Sequence, residues 1–272
     1  MLSLGHIDYL NCVPFFHYLS ELGFSGRIVD GVPSELNRLL AEGEIDVSPS
    51  SSFEYARNWK DYILLPGQSI SSAGPVMSVL LFAPGSLEDL EGCEIALTRE
   101  SATSVNLLKI LLAEFVGLRQ VRYRVPEEPV ESLIAADRPA LLIGDRALRE
   151  AGRDDLPFRI FDLGELWYRF TGLPFVFALW ILRREAATSK HAEVQTLLDQ
   201  LGMSRQRAFA ALPALAAQAP ERSWMGEERL IAYWRCMSYD LDKEHLAGLR
   251  LFFDLAYRHG LVEQDVPLDF FA

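Results

Sequence analysis

Histidine is missing from the middle of this chain, with none between His17 and His191. Cysteine is scarce: Cys12, Cys93 and Cys236 are far apart and odd in number. No CxxC pair or Cys/His zinc spacing exists, which excludes a disulfide framework or zinc finger and points to reduced thiols in a cytosolic protein. Cationic side chains are outnumbered, 26 Lys and Arg against 38 Asp and Glu, for a net charge of −12. Such a balance argues against a nucleic-acid or anionic-membrane partner. It also gives an anionic ligand no help from the overall field, so any anion site must be built locally. The longest apolar run, Leu173 to Leu182, is too short to cross a bilayer. The opening MLSLGHIDYLN lacks the basic and apolar regions of a signal peptide, so a cytoplasmic location is expected. GxSxG, Walker, GxGxxG and HExxH motifs are all lacking.

What is present is a chain of 272 residues, 50% hydrophobic and 24% charged, with ample apolar content for a packed core. Short β-type runs alternate with helical segments. Leu2–Ile7, Arg27–Asp30, Ile45–Val47, Met77–Ala83, Glu94–Thr98, Leu141–Ile143, Arg159–Phe161 and Phe175–Leu182 read as strands. Pro33-Ser34-Glu35 opens a helix that ends near Gly43, and Ser101 to Phe115 is the clearest helix. From Thr188 onward the pattern is nearly all helical, with Asp242 capping a helix that ends at His259-Gly260. This alternation predicts an α/β fold of mostly parallel sheets with flanking helices and a helical C-terminal tail. LNRLLAEGEIDVSPSSSFEYAR and SLIAADRPALLIGDRALREA echo one another as helix, strand, polar turn and helix, which suggests two similar lobes. The division expected is residues 1–77 with 180–272 as a discontinuous first lobe, 78–179 as the second, and a ligand cleft between them.

Polar clusters fall at the strand-to-helix turns, where open α/β sheets bind ligands. They are Tyr9-Leu10-Asn11, Ser50-Ser51-Ser52, Ser71-Ser72 leading to Ser78, Ser101-Ala102-Thr103-Ser104, and Gly144-Asp145. A helix N-terminus offers unpaired N–H groups and the positive end of the dipole, so hydroxyl-rich turns there can hold a carboxylate without Arg or Lys. Two such turns on opposite lobes would suit a small molecule with two anionic groups. Each cluster alone is also accounted for by capping. Asp145 is the only carboxylate standing where a general base could, and it too fits as a helix cap. Asp240-x-Asp242-x-Glu244 lacks the glycine and the final glutamate of a calcium loop and reads as capping. The residues alone thus leave two classes open, a solute-binding protein and an enzyme on the same clamshell.

Several stretches are similar to the chorismate dehydratase family of the futalosine-type menaquinone pathway. They are Gly5-His6-Ile7-Asp8-Tyr9-Leu10-Asn11, Val32-Pro33-Ser34-Glu35-Leu36-Asn37, Gly43-Glu44-Ile45-Asp46-Val47-Ser48-Pro49 and Ser51-Ser52-Phe53-Glu54-Tyr55-Ala56. Gly74-Pro75-Val76, Ser101-Ala102-Thr103-Ser104, Leu142-Ile143-Gly144-Asp145 and Thr171-Gly172-Leu173-Pro174-Phe175 continue the match in order. Ser50 departs from it, where a larger apolar residue is expected.

The resemblance implies a two-lobed, type II periplasmic-binding-protein-like fold. It implies loss of water from chorismate to give 3-[(1-carboxyvinyl)oxy]benzoate, with no cofactor and no metal, the substrate's own enolpyruvyl carboxylate serving as base. Asn11 would orient the substrate and its leaving hydroxyl, with Ser78 a second polar contact. Ser51, Ser52, Thr103 and Ser104 would bind carboxylates, beside Tyr9, Ser101 and Gly144 in the substrate-binding set. Asp145 stays as a rival base. The partner is then a small dicarboxylate, and the oligomeric state is left open. Two alternatives remain. One is the sister enzyme 1,4-dihydroxy-6-naphthoate synthase, expected to use a second-lobe histidine that this chain lacks. The other is a non-catalytic binder of a small carboxylate.

Overall fold

Eleven strands alternate with helices in the computed structural model, which describes residues 1–153 and 158–272. The strands are β1 (Ser3–His6), β2 (Arg27–Asp30), β3 (Val47–Ser51), β4 (Tyr62–Ser72), β5 (Val79–Ala83), β6 (Glu94–Leu97), β7 (Arg122–Arg124), β8 (Ala140–Ile143), β9 (Arg159–Asp162), β10 (Phe175–Arg183) and β11 (Ser238–Leu241). The helices before the second sheet are α1 (Val13–Phe16), α2 (Pro33–Glu42) and α3 (Ser52–Asn58). Those around it are α4 (Ala102–Ile110), α5 (Val130–Ile134), α6 (Gly144–Glu150) and α7 (Leu163–Thr171). The C-terminal part holds α8 (Arg184–Ser189), α9 (His191–Ala210), α10 (Leu212–Gln218), α11 (Arg222–Met225), α12 (Glu227–Cys236) and α13 (Lys243–Arg258).

Local chemistry explains the clearest boundaries. Proline at the first turn opens α2, and Gly43, at φ 79°, ends it in the left-handed conformation that glycine adopts freely. The side chain of Asp242 accepts the N–H groups of Glu244 and His245 at the start of α13. The helix expected over Ser101–Phe115 begins at its Ser101 cap, but its last turn, Leu111–Val116, widens to a π-helix before Gly117.

The strands form two sheets, in the orders β11-β4-β10-β3-β1-β2 and β7-β6-β8-β5-β9. Both are mixed, where mostly parallel sheets were expected. β1–β2, β1–β3, β6–β7 and β6–β8 run parallel. β10 runs against β3 and β4, β11 against β4, and β5 against β8 and β9. The reason is where the chain changes sheets. β5 and β10 each enter from the other sheet, beside the carboxyl ends of the resident strands, so each must run against its neighbour. Val79 opposite Ile143 and Ala178 opposite Ser51 mark those two entry points. β10 pairs with the first sheet from Phe175 onward, ahead of the return expected near residue 180.

The echoed stretches fold as α2–β3–α3 and α5–β8–α6. The strand expected over Ile45–Val47 lies instead at Val47–Ser51 and is buried throughout, so Ser50 and Ser51 of the expected Ser50-Ser51-Ser52 turn belong to it, and β4 stands where no strand was expected. The C-terminal part is interrupted by β11, which extends the first sheet beside β4. It packs on the rest through Phe252 of α13, which meets Phe175 of β10 edge to face at 4.9 Å between ring centres, as does Trp167 of α7 at 5.1 Å.

Candidate active site

The carboxyl ends of β1, β3, β6 and β8 converge on a cleft that is partly open to solvent. Its polar border is Tyr9, Asn11, Ser51, Ser78, Glu100, Ser101, Ser104 and Gly144, and Ile7, Ile70, Val76, Phe177 and Met237 supply much of the apolar wall. The Cβ-less Gly144 sits at φ 61°, and a side chain there would meet the Tyr9 ring at 3.3 Å. Glycine at this position therefore lets the turn after β8 approach the turn after β1.

Asn11 stands in a tight turn closed by the Cys12 N–H donating to the Tyr9 carbonyl at 2.9 Å. Its amide oxygen is buried and has no hydrogen-bond partner among the described residues. Leaving such an acceptor unpaired costs about 1–3 kcal/mol, so a donor on a bound molecule would find an acceptor waiting. Across the cleft, Ser101 caps α4, its hydroxyl accepting from the N–H and the hydroxyl of Ser104 at 3.1 and 3.0 Å. Ser51 caps α3 by accepting the Glu54 N–H at 3.3 Å. First-turn amides of α4 have no intrahelical acceptor and give that wall a positive edge.

Three expected site residues do not border the cleft. Thr103 accepts the Phe53 N–H at 2.9 Å and lies 3.3 Å from the Ser52 hydroxyl. The two serine-rich corners therefore face each other, but at this point they bind each other, where carboxylate contacts were expected. Asp145 accepts the Leu10 N–H at 3.4 Å from outside the cleft lining. Burial pushes its carboxyl up to about 6, and its neighbour across the contact is the turn that carries Asn11. Geometry thus makes it a tie between two turns. Tyr9 makes another, donating to Glu100 at 3.2 Å, and burial together with Glu100 raises its hydroxyl well above the usual range.

Sequence reasoning missed several residues here. Glu100 borders the cleft but is engaged by Arg146 at 2.8 Å, which in turn grips Glu131 at 2.7 and 2.6 Å. Arg146 thus offsets part of the charge of this wall carboxylate, being shared between Glu100 and Glu131. Asp162 accepts the N–H groups of Val76 and Met77, the latter at 2.6 Å, and those of Gly164 and Glu165 at the start of α7. It holds the segment before Ser78, where Met77 adopts φ 61°. From the C-terminal part, Tyr233 donates to Ser78 and Trp234 to the Leu10 carbonyl. Only the position of Glu100 beside the Ser101 cap could have drawn attention from sequence. Among the described residues no group of three or more His, Cys, Asp and Glu is placed to hold a metal ion.

Two mixed sheets with a cleft at their facing strand ends define a periplasmic-binding-protein-like fold. The aliphatic sulphonate binding protein SsuA of Escherichia coli shares it, with a TM-score of 0.70 at 18% identity, covering 97% of this chain and 89% of that one. The menaquinone biosynthesis family profile matches residues 2–258, and the chain belongs to that family. A chorismate dehydratase of Thermus thermophilus is 38% identical over 263 residues, 92% of this chain and 93% of the relative. A 1,4-dihydroxy-6-naphtoate synthase of the same organism is 29% identical over 168 residues, 59% of each. No helix among the described residues is long and apolar enough to cross a membrane.

Proposed function

We propose that this protein is a chorismate dehydratase, a carbon–oxygen hydro-lyase converting chorismate to 3-[(1-carboxyvinyl)oxy]benzoate and water. The observation that carries the proposal is the unpartnered Asn11 amide oxygen, set in a cleft whose other polar groups are hydroxyls, helix-terminal amides and the Arg146-bound carboxylate of Glu100. Chorismate has two carboxylates for the serine-lined wall and a ring hydroxyl to donate to Asn11. The hydrogen leaves the ring carbon bearing the enolpyruvyl ether, and the hydroxyl leaves the neighbouring carbon. The ring becomes aromatic, so the reaction needs orientation and charge placement above all. The substrate's enolpyruvyl carboxylate is the base in this mechanism, which agrees with Asp145 lying outside the cleft lining. Asn11 holds the leaving hydroxyl, Ser78 contacts the substrate, and Ser51, Ser101 and Ser104 receive its carboxylates. Ser52 and Thr103 act by locking the two corners together. The broader match to the dehydratase and the lack of any histidine from His17 to His191 favour this activity over the naphthoate synthase. The lobes meet at the crossings between β4 and β5 and between β9 and β10.

Incubation with chorismate followed by mass spectrometry tests the proposal. A product lighter by one water is expected. Chorismate recovered intact, with a raised melting temperature showing that it binds, would instead favour a carboxylate-binding protein.

A further inference from the structure

α12 lies far along the chain from the turns of the cleft, yet two adjacent residues on it reach both groups on which the proposed chemistry depends. The Tyr233 hydroxyl donates to the Ser78 Oγ at 2.9 Å, and the Trp234 indole N–H donates to the Leu10 carbonyl at 2.8 Å. Both side chains are fully buried. The Leu10 carbonyl and the Asn11 N–H belong to one rigid peptide plane, so Trp234 fixes the plane from which Asn11 departs. Asp145 holds the other side of Leu10 through its N–H.

The Ser78 hydroxyl is governed by a simple count of hydrogens. A phenol has one hydrogen to give, and here it fills a lone pair of Ser78. The serine's own hydrogen is then left for another acceptor. Its neighbour in the protein is the Val76 carbonyl at 3.3 Å, a long contact for two oxygens. A substrate oxygen in the cleft can draw that hydrogen away. Burial raises the Tyr233 hydroxyl far above its usual range, so it remains a donor.

We propose that Tyr233 and Trp234 are positioning residues of the active site, Tyr233 turning the Ser78 hydroxyl to donate to the substrate and Trp234 fixing the peptide that presents Asn11. This rests on the proposed dehydratase activity and on contact of Ser78 and Asn11 with the substrate. Neither residue is part of the cleft lining, so each should act on kcat through its partner.

Tyr233→Phe removes one oxygen and keeps the ring. With chorismate as substrate, kcat should fall about tenfold, the size of one charge-adjacent hydrogen bond, with KM within about twofold of wild type. In a Ser78→Ala background the same change should have no further effect, as expected for two groups acting as a unit. Trp234→Phe should lower kcat alone but add nothing to Asn11→Ala, with melting temperatures recorded for every variant. Full kcat in Tyr233→Phe, or losses that multiply in the double variants, would overturn the inference while leaving the dehydratase activity standing. A wild-type protein that leaves chorismate unchanged, or a fully active Ser78→Ala, would instead remove the reading on which it rests.

Discussion

Asn11 and Asp145 stand beside one turn but differ in their hydrogen bonds. Asn11 is a neutral acceptor left open in the cleft. Replacing it by Asp adds a negative charge where the proposed dianionic substrate would bind, at almost constant shape. Asn11→Asp should lower kcat/KM at least about a hundredfold, the size of effect seen for a lost transition-state contact, with little change in melting temperature. Steady-state assays beside thermal melts check this. Asp145 differs because its task is to accept the Leu10 N–H, which an asparagine oxygen can also do. Asp145→Asn should therefore keep turnover within a few-fold, and a collapse in kcat would make it the base after all. Its titration gives a second test. Burial moves the carboxyl from 3.8 to about 6, so between those pH values the folded protein holds a proton that the unfolded chain has lost. Stability then falls as pH rises through that window and is flat above it. The melting temperature of Asp145→Asn relative to wild type should shift in the variant's favour across the window and level off beyond it.

Elements differ in how far the sequence reveals them. α2 and α13 carry their own punctuation, proline and Gly43 for one and Asp242 for the other, and both stand where those residues put them. The serine-rich strands do not. Ser69, Ser71 and Ser72 are fully buried in β4 because their hydroxyls find partners: Ser69 and Ser71 each other at 2.9 Å, Ser71 the Ser238 carbonyl and Ser72 the Gly74 carbonyl. Polar composition alone reads as a turn, since the satisfying partners come from β11 and the crossing segment. The same holds for the site. Hydroxyl-rich turns were visible, but that Thr103 would pair with Phe53 and that α12 would reach Ser78 depended on contacts between distant parts of the chain. Packing between elements also sets a severe constraint at Gly248 on α13, where a Cβ would come within 2.0 Å of the Pro174 carbonyl oxygen just before β10. Gly248→Ala should destabilise the fold by about 3 kcal/mol or more, the upper range for overpacking, and lower the melting temperature accordingly.

At the scale of the whole molecule, the chain crosses between two sheets and back so that the carboxyl ends of β1, β3, β6 and β8 face one cleft. The repeated helix–strand–helix pattern made this architecture legible, but the direction of β5 and β10 followed only from where the chain crosses. The net charge of −12 gives a dianionic substrate no long-range attraction to the molecule as a whole. Salt screens long-range fields over about 10 Å at 0.1 M, and the site's own amides and hydroxyls are less affected at contact. KM for chorismate should therefore stay constant or fall as salt rises to physiological strength, whereas a steep rise would point to attraction by cationic side chains. Unaided dehydration of chorismate is tested with purified protein and chorismate alone, with a chelator present and the products resolved by mass. Catalytic conversion to 3-[(1-carboxyvinyl)oxy]benzoate over many turnovers is expected. Chorismate that survives unchanged while still raising the melting temperature would contradict it.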